Sequence, residues 1–287
     1  MEWTIERQSD VCFAIRVNFS RSVDWEQWFL VTADRHLDNP HSDRELQKHH
    51  MDQAVERGAG ILDFGDLFDA MQGKNDRRSS KSDLMTEHKA TGYLNNLVKD
   101  AAKFFEPYVD NLALLSEGNH ETSILKHVEY NLLDGLIYAL SSKGSPVMHG
   151  GYRGWIRFLF QHNTYRDSRN AYWIHGYGGG GPVTKDIIQA NRKAVYLSNA
   201  DYVFSGHTHD QWIFPLERTS INSSGNEEWH RQYHIKVPTY KDEFFNNRGG
   251  FHHETGKPPK PKGAWWMRFY WSNRSKSVQV QFIEAEV

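Results

Sequence analysis

The sequence predicts an α/β fold of two packed mixed β-sheets flanked by helices, an αββα sandwich whose ligand-binding rim lies at the carboxyl ends of the strands. Three observations predict it. Short apolar runs alternate with helix-period stretches through the first half of the chain, aromatic-rich strands follow from about Gly150, and the chain beyond residue 210 is mostly strand. No linker separates these parts. The 287 residues, 38% hydrophobic and 24% charged, can bury a large core. They are read as one domain, residues 1–287, with a motif-bearing core at about 28–210 and a β-rich part at about 211–287 completing the second sheet.

The elements follow in order. "WFLVTA" (28–33) is a buried strand, and "DRHLDNP" a polar loop. Ser42 opens "SDRE", a capping box in which Glu45 returns to the Ser42 amide, and the helix runs to about Arg57 before Gly58 and Gly60. "GILDF" (60–64) is the next strand, and "GDLFDAMQGKNDRRSSKSD" is too polar and glycine-punctuated for core. Leu94, Leu97, Val98, Ala101, Phe104 and Phe105 make one stripe of a second helix that Pro107 ends. After the strand "NLALLS" (111–116), a single further helix carries Leu125, Val128, Leu132, Leu136 and Leu140. "GWIRFLFQH" and "AYWIHG" are strands, a helix spans about 184–198, and "DYVFS" is a strand. "QWIFPL", "RQYHIKV", "WWMRFYW" and "VQVQFIE" supply the rest.

Composition narrows the function. With 34 basic and 36 acidic residues, the net charge of −2 implies no bulk attraction to nucleic acid, so any such affinity needs a local basic patch. The single cysteine, Cys12, makes no internal disulfide and rules out cysteine-based zinc sites. The start carries no basic-then-apolar leader pattern, and no apolar run is long enough to cross a membrane, so the expected location is the cytoplasm. Among the 16 histidines, the pairs in "KHHMD" (His49, His50) and "FHHET" (His252, His253) read as solvated surface.

Five apolar runs end in the same chemistry. They lead to Asp34 and His36, to Asp66 and Asp69, to Asn119, His120 and Glu121, to His175, and to His207 and His209. Carboxyl ends of strands in α/β sheets are where ligands bind, so the five ends converge on one rim. Aspartate oxygens and neutral imidazoles suit borderline and hard divalent cations. Two such ions need a shared anionic ligand, for which Asp66 is the candidate, and a water between them becomes a nucleophile at neutral pH. Each piece alone could be a turn, a cap or a core histidine. Together and in this order they point to a site.

In this order "DRH…GDLFD…GNHE…H…GHTH" resembles the calcineurin-like metallophosphoesterase superfamily over residues 28 to 210. The resemblance implies two sheets flanked by helices and two divalent metal ions, manganese first, with iron, zinc, nickel or magnesium also suited. It implies one ion on Asp34, His36, Asp66 and His209, and the other on Asp66, Asn119, His175 and His207. It makes His120 the leaving-group acid or phosphoryl-oxygen donor, and Asp69 the residue that orients it. One departure matters: Ala70 stands where protein phosphatases carry a phosphate-clamping arginine. Arg153, Arg157, Arg166 and Arg169 are the candidates to replace it.

The implied substrate is a phosphate ester, and the reading leans to a phosphodiester, as in a nuclease or nucleotide phosphodiesterase. DNA or RNA could follow two basic loops, one with Lys74, Arg77, Arg78 and Lys81, the other with Lys241, Arg248, Lys257, Lys260 and Lys262. The alternative is a protein or small-molecule phosphomonoesterase. A third reading is a catalytically silent metal-binding scaffold that offers the tryptophans of "WWMRFYW" as a contact surface. Oligomeric state is not legible.

Overall fold

The computed structural model describes residues 2–71, 84–89, 91–179, 181, 183–242, 244, 256 and 258–287. An antiparallel hairpin, β1 (Trp3–Ser9) and β2 (Cys12–Asn18), precedes the first strand expected from the sequence. That strand is β3 (Glu26–Thr32), followed by α1 (Arg44–Glu56), β4 (Gly60–Asp63), α2 (Tyr93–Phe105) and β5 (Leu112–Ser116). Then come α3 (Asn119–Val128), α4 (Leu132–Ser141), β6 (Met148–Gly150), β7 (Arg153–His162) and β8 (Tyr165–Ile174). The chain closes with α5 (Ile187–Tyr196), β9 (Tyr202–Ser205), β10 (Trp212–Ile221), β11 (Glu227–Lys236), β12 (Trp265–Ser272) and β13 (Ser277–Glu284).

The strands form two mixed sheets, as the sequence predicts. One is ordered β1-β2-β7-β8-β9-β11-β10 and the other β13-β12-β3-β4-β5-β6. In the second, β3, β4, β5 and β6 run parallel, so their carboxyl ends share one edge. In the first, β8 and β9 are parallel neighbours and end together.

Alternation along the strands fills two apolar layers. Phe29 and Val31 of β3 face the space between the sheets with Leu62, Phe64, Phe158, Trp173, Phe204 and Phe269. Leu30 and Ile61 point the other way, toward Met51 of α1, Leu97, Ala101 and Phe105 of α2, and Leu132 and Leu136 of α4. A bulge between Ile61 and Leu62 lets β5 place both Ala113 and Leu114 in the inter-sheet layer. On the opposite side, Leu197 and Ala200, just after α5, pack with Tyr172 and Val203.

Four expectations need correction. The cap of α1 is Asp43, whose carboxylate accepts from Leu46 N at 3.1 Å; Ser42 Oγ donates instead to Arg35 O at 2.7 Å. The single helix expected after "GNHE" is two, because Glu129 takes a left-handed turn at φ 54° and Asn131 caps a new helix through Asp134 N. Leu125 and Val128 are accordingly exposed. His50 is buried, between Tyr240 Oη at 2.9 Å and Glu286 O at 2.7 Å, and only His49 of that pair is at the surface. Trp265, Trp266 and Trp271 are at most 5% exposed, so "WWMRFYW" is core and not a contact surface. His252 and His253 lie outside the described residues.

Candidate metal centre

Asp34 and His36 follow β3, and Asp66 and Asp69 follow β4. Asn119 and His120 open α3 after β5, His175 follows β8, and His207 and His209 follow β9. The parallel strands thus deliver all nine predicted residues to one edge. Asp34, His36, Asp66, His207 and His209 all have positive φ, at 50°, 45°, 54°, 74° and 57°. A left-handed backbone costs a non-glycine residue about 1–2 kcal/mol, and such strain gathers where side chains must be aimed. Two motif glycines are steric necessities: a Cβ at Gly118 would overlap the Asp66 carboxylate, and one at Gly206 the Asp34 carboxylate.

Among the described residues two separate groups of donors emerge, and a third, His36, Asp69 and His120, shares His36 with the first. Asp34, His36 and His209 form one, with His209 Nε2 3.3 Å from Asp34 Oδ1 and 3.3 Å from His36 Nε2. Asp66, His175 and His207 form the other, with His175 Nε2 3.0 Å from Asp66 Oδ2 and His207 Nδ1 2.7 Å from Asn119 Oδ1. Asp34 Oδ1 also lies 3.9 Å from His175 Nε2, so a carboxylate stands between the groups.

Four ring orientations are set from outside the centre. His175 Nδ1 donates to Phe64 O at 2.9 Å, His207 Nε2 to Gly178 O at 2.9 Å, and His120 Nδ1 to Asp69 O at 2.6 Å. His36 Nδ1 lies 3.0 Å from Asp69 Oδ1. Each histidine therefore keeps its other nitrogen for the centre, the arrangement usual around metal ligands.

This donor chemistry fits divalent cations. Burial and the neighbouring His175 push His207 below the ordinary histidine range, so it is neutral with one N–H, given to Gly178. Its Nδ1 and Asn119 Oδ1 then face each other as two lone pairs, which a cation reconciles. Two nitrogen donors about 2.1 Å from one ion stand roughly 3–3.4 Å apart, as His36 and His209 do. Without ions, protons substitute for them. Burial opposes charge on His175, but Asp66 and then Asp34 outweigh it and raise His175 to about 9. Burial would raise Asp66, but His175 and His120 hold it below the ordinary carboxylate range.

Several residues depart from their expected parts or went unforeseen. The Asp69 carboxylate lies 3.8 Å from His120 Nδ1 and serves His36 instead, while the Asp69 backbone carbonyl orients His120. Asn39 Nδ2, at 2.5 Å, and Lys241 Nζ, at 3.5 Å, complete the surroundings of that carboxylate. Glu121, quoted in the motif but given no part, accepts from Gly118 N, Asp66 N and Phe68 N and so ties two motif loops together. Its Glu-at-third-position spacing after Gly118 was the available signal.

Of the four arginines, Arg157 and Arg166 line a depression with Arg16 on the outer face of the seven-stranded sheet. Arg169 is tied to Asp167 and Val278 O, and Arg153 is exposed at the start of β7. Among the described residues the cations beside the centre are others, each matched to a carboxylate: Arg35 to Asp63 at 2.8 Å, Lys236 to Asp186 at 2.8 Å, and Lys241 to Asp69. In the second basic loop, Lys260 pairs with Asp210 at 2.6 Å and Lys262 with Asp43 at 2.8 Å. The described lysines of that loop thus fasten it to the motif loops. Arg248, Lys257 and the basic residues of the first loop lie outside the described residues.

No protein-family model matches the chain, and no curated protein matches it in sequence. Solved structures with a similar course include a conserved uncharacterised protein of Streptococcus pneumoniae titled a predicted phosphoesterase, at 8% identity over 91% of this chain and 99% of that one, TM-score 0.33. Vps29 of Chaetomium thermophilum is 8% identical over 90% and 95%, TM-score 0.35. GAP50, titled the anchor in the inner membrane complex of Plasmodium, is 11% identical over 90% and 84%, TM-score 0.39. At that distance the residues themselves must carry the functional reading. No helix among the described residues is long and apolar enough to cross a membrane.

Proposed function

We propose that the chain is a metal-dependent phosphoesterase that holds two divalent ions at the rim. The observation that carries this reading is the pairing of two donor groups whose free nitrogens and carboxylate oxygens converge while the outer nitrogens of His175 and His207 are held by backbone carbonyls and that of His36 lies against Asp69. Asp34, His36 and His209 would hold one ion and Asp66, Asn119, His175 and His207 the other, with Asp66 the shared ligand that the motif implies and Asp34, whose Oδ1 stands between the groups, a second carboxylate in reach of both. When bound, the pair supplies Lewis acidity toward phosphoryl oxygens and a hydroxide nucleophile at neutral pH.

The protein's own residues do the rest. His120 keeps Nε2 toward the centre, 3.8 Å from Asp66 Oδ2, because Asp69 O holds Nδ1. Burial disfavours charge on His120, but Asp66 and Asp69 outweigh it and raise it, so it can carry the proton a departing alkoxide needs. Glu121 keeps Asp66 and the Asn119 turn in register.

A phosphodiester is the favoured substrate. A monoester carries close to two charges at neutral pH and calls for a further cation, whereas among the described residues Arg35, Lys236 and Lys241 are each matched to a buried carboxylate. A nucleic acid in particular would rely on basic residues outside those described. The reading is tested with a chromogenic phosphodiester and the matching monoester, assayed with Mn²⁺, Ni²⁺, Zn²⁺ and Mg²⁺. Faster diester turnover supports it. Faster monoester turnover favours a phosphatase, and no turnover with any ion favours a silent scaffold.

A further inference from the structure

Beside the glycine-rich segment after His175 lies a buried ion pair outside the metal-binding motifs. Lys236, at the end of β11, is fully buried, and its Nζ lies 2.8 Å from Oδ2 of Asp186, itself 8% exposed. A buried pair seldom adds net stability over an apolar replacement, but it does enforce a geometry, because neither charge tolerates separation from the other.

The geometry here is that of the described residues between 176 and 186, which are 176–179, 181 and 183–186. Gly176, Gly178, Lys185 and Asp186 all have positive φ, at 131°, 75°, 42° and 68°, a course the backbone does not adopt by default. It is fastened at both ends. Tyr152 Oη donates to Gly176 O, His207 Nε2 donates to Gly178 O at 2.9 Å, Trp212 Nε1 donates to Lys185 O at 2.8 Å, and Lys236 takes Asp186. Gly178 O matters most for the centre, since it decides which nitrogen of neutral His207 keeps the proton.

We infer that Lys236 and Asp186 are positioning residues for the ion group of Asp66, Asn119, His175 and His207: they latch the segment so that Gly178 O holds His207 with Nδ1 toward Asn119. The inference rests on the two-ion reading above. It is selective, because the ring of His36 in the other group is set by Asp69, on a different loop. Losing the latch therefore weakens one ion and spares the other.

The test uses Asp186→Asn and the double variant Lys236→Met with Asp186→Asn. Histidine ¹⁵N NMR of the metal-free protein reports the His207 tautomer, and equilibrium dialysis against Mn²⁺ reports both affinities. The expected result is loss of the single Nε2–H form of His207 and roughly tenfold or greater weakening of one ion. An unchanged tautomer with both affinities intact overturns the latch. Should the wild type bind no Mn²⁺, the two-ion reading fails, while the tautomer still decides whether the pair sets His207. Should the double variant not fold, the near-isosteric Asp186→Asn gives the same two readouts.

Discussion

The space between the sheets and the rim at their strand ends are built on opposite terms. The inter-sheet layer is Phe, Trp and aliphatic packing on ordinary strand backbone, such as Phe29 against Phe158 at 5.1 Å and Phe64 stacked on Phe204 at 5.0 Å. The rim has five non-glycine residues in left-handed backbone, buried carboxylates at Asp34, Asp66 and Asp69, and cations already matched to carboxylates. Its charges and strain oppose folding, and the core makes up for that. The two regions should therefore respond to mutation in opposite ways: core changes cost stability and leave the chemistry, rim changes cost chemistry and leave the fold.

The largest expected effect is at the rim. Asp66→Asn should abolish binding of at least one ion and lower diester turnover on the order of 10³-fold or more. Its Tm in EDTA should fall less than that of a core truncation; a larger fall would erase the division between the regions. His120→Ala should keep both ions by metal analysis and lose about 10²–10⁴-fold in turnover, as removal of a general acid does. Loss of an ion instead would move His120 from catalysis to ligation.

From the core side, Trp173→Ala removes a fully buried ring packed on Phe13 and Phe64 and should cost about 3–5 kcal/mol by denaturant unfolding. The folded fraction should still take up the wild-type number of ions. A changed stoichiometry would show that the core tunes the rim as well as supporting it.

The pH response sharpens the contrast. In the metal-free protein His175 is raised to about 9, so its contribution to stability is fully present below the ordinary histidine value and is lost as pH rises toward 9. Coordination needs the neutral ring, so Mn²⁺ affinity should rise up to about tenfold per pH unit between 7 and 9, with proton release seen by calorimetry in buffers of different ionisation enthalpy. Thermal unfolding with EDTA should weaken over the same interval. A pH-independent affinity would remove His175 from the ligand set. The smallest effect lies away from both regions: Glu129→Gly, at the exposed left-handed turn between α3 and α4, should stabilise by up to about 1 kcal/mol.

Much of this was legible in the sequence, and unevenly. The parallel strands and the nine rim residues follow from apolar runs that end in Asp, His and Asn, because parallel strands bring their ends together whatever the loops do. Why Gly118 and Gly206 must be glycine shows only in the structure, where a Cβ at either would overlap a carboxylate of the centre. What stayed hidden depends on contacts distant in sequence. Asp69 turns to His36 rather than to His120, Lys241, Lys260 and Lys262 fasten the later part of the chain to the motif loops, and Lys236 takes Asp186 outside them. A lysine-rich stretch reads the same whether it awaits phosphates or pairs with carboxylates. The break at Glu129 was missed because the apolar stripe continues in phase across it.

The central claim is that the rim holds two ions. Equilibrium dialysis of the wild-type chain against Mn²⁺ at pH 8, followed by elemental analysis, tests it most directly. Two ions per chain, falling to one or none in Asp66→Asn, is the predicted result. No specific uptake, or a single ion unaffected by Asp66→Asn, would contradict it.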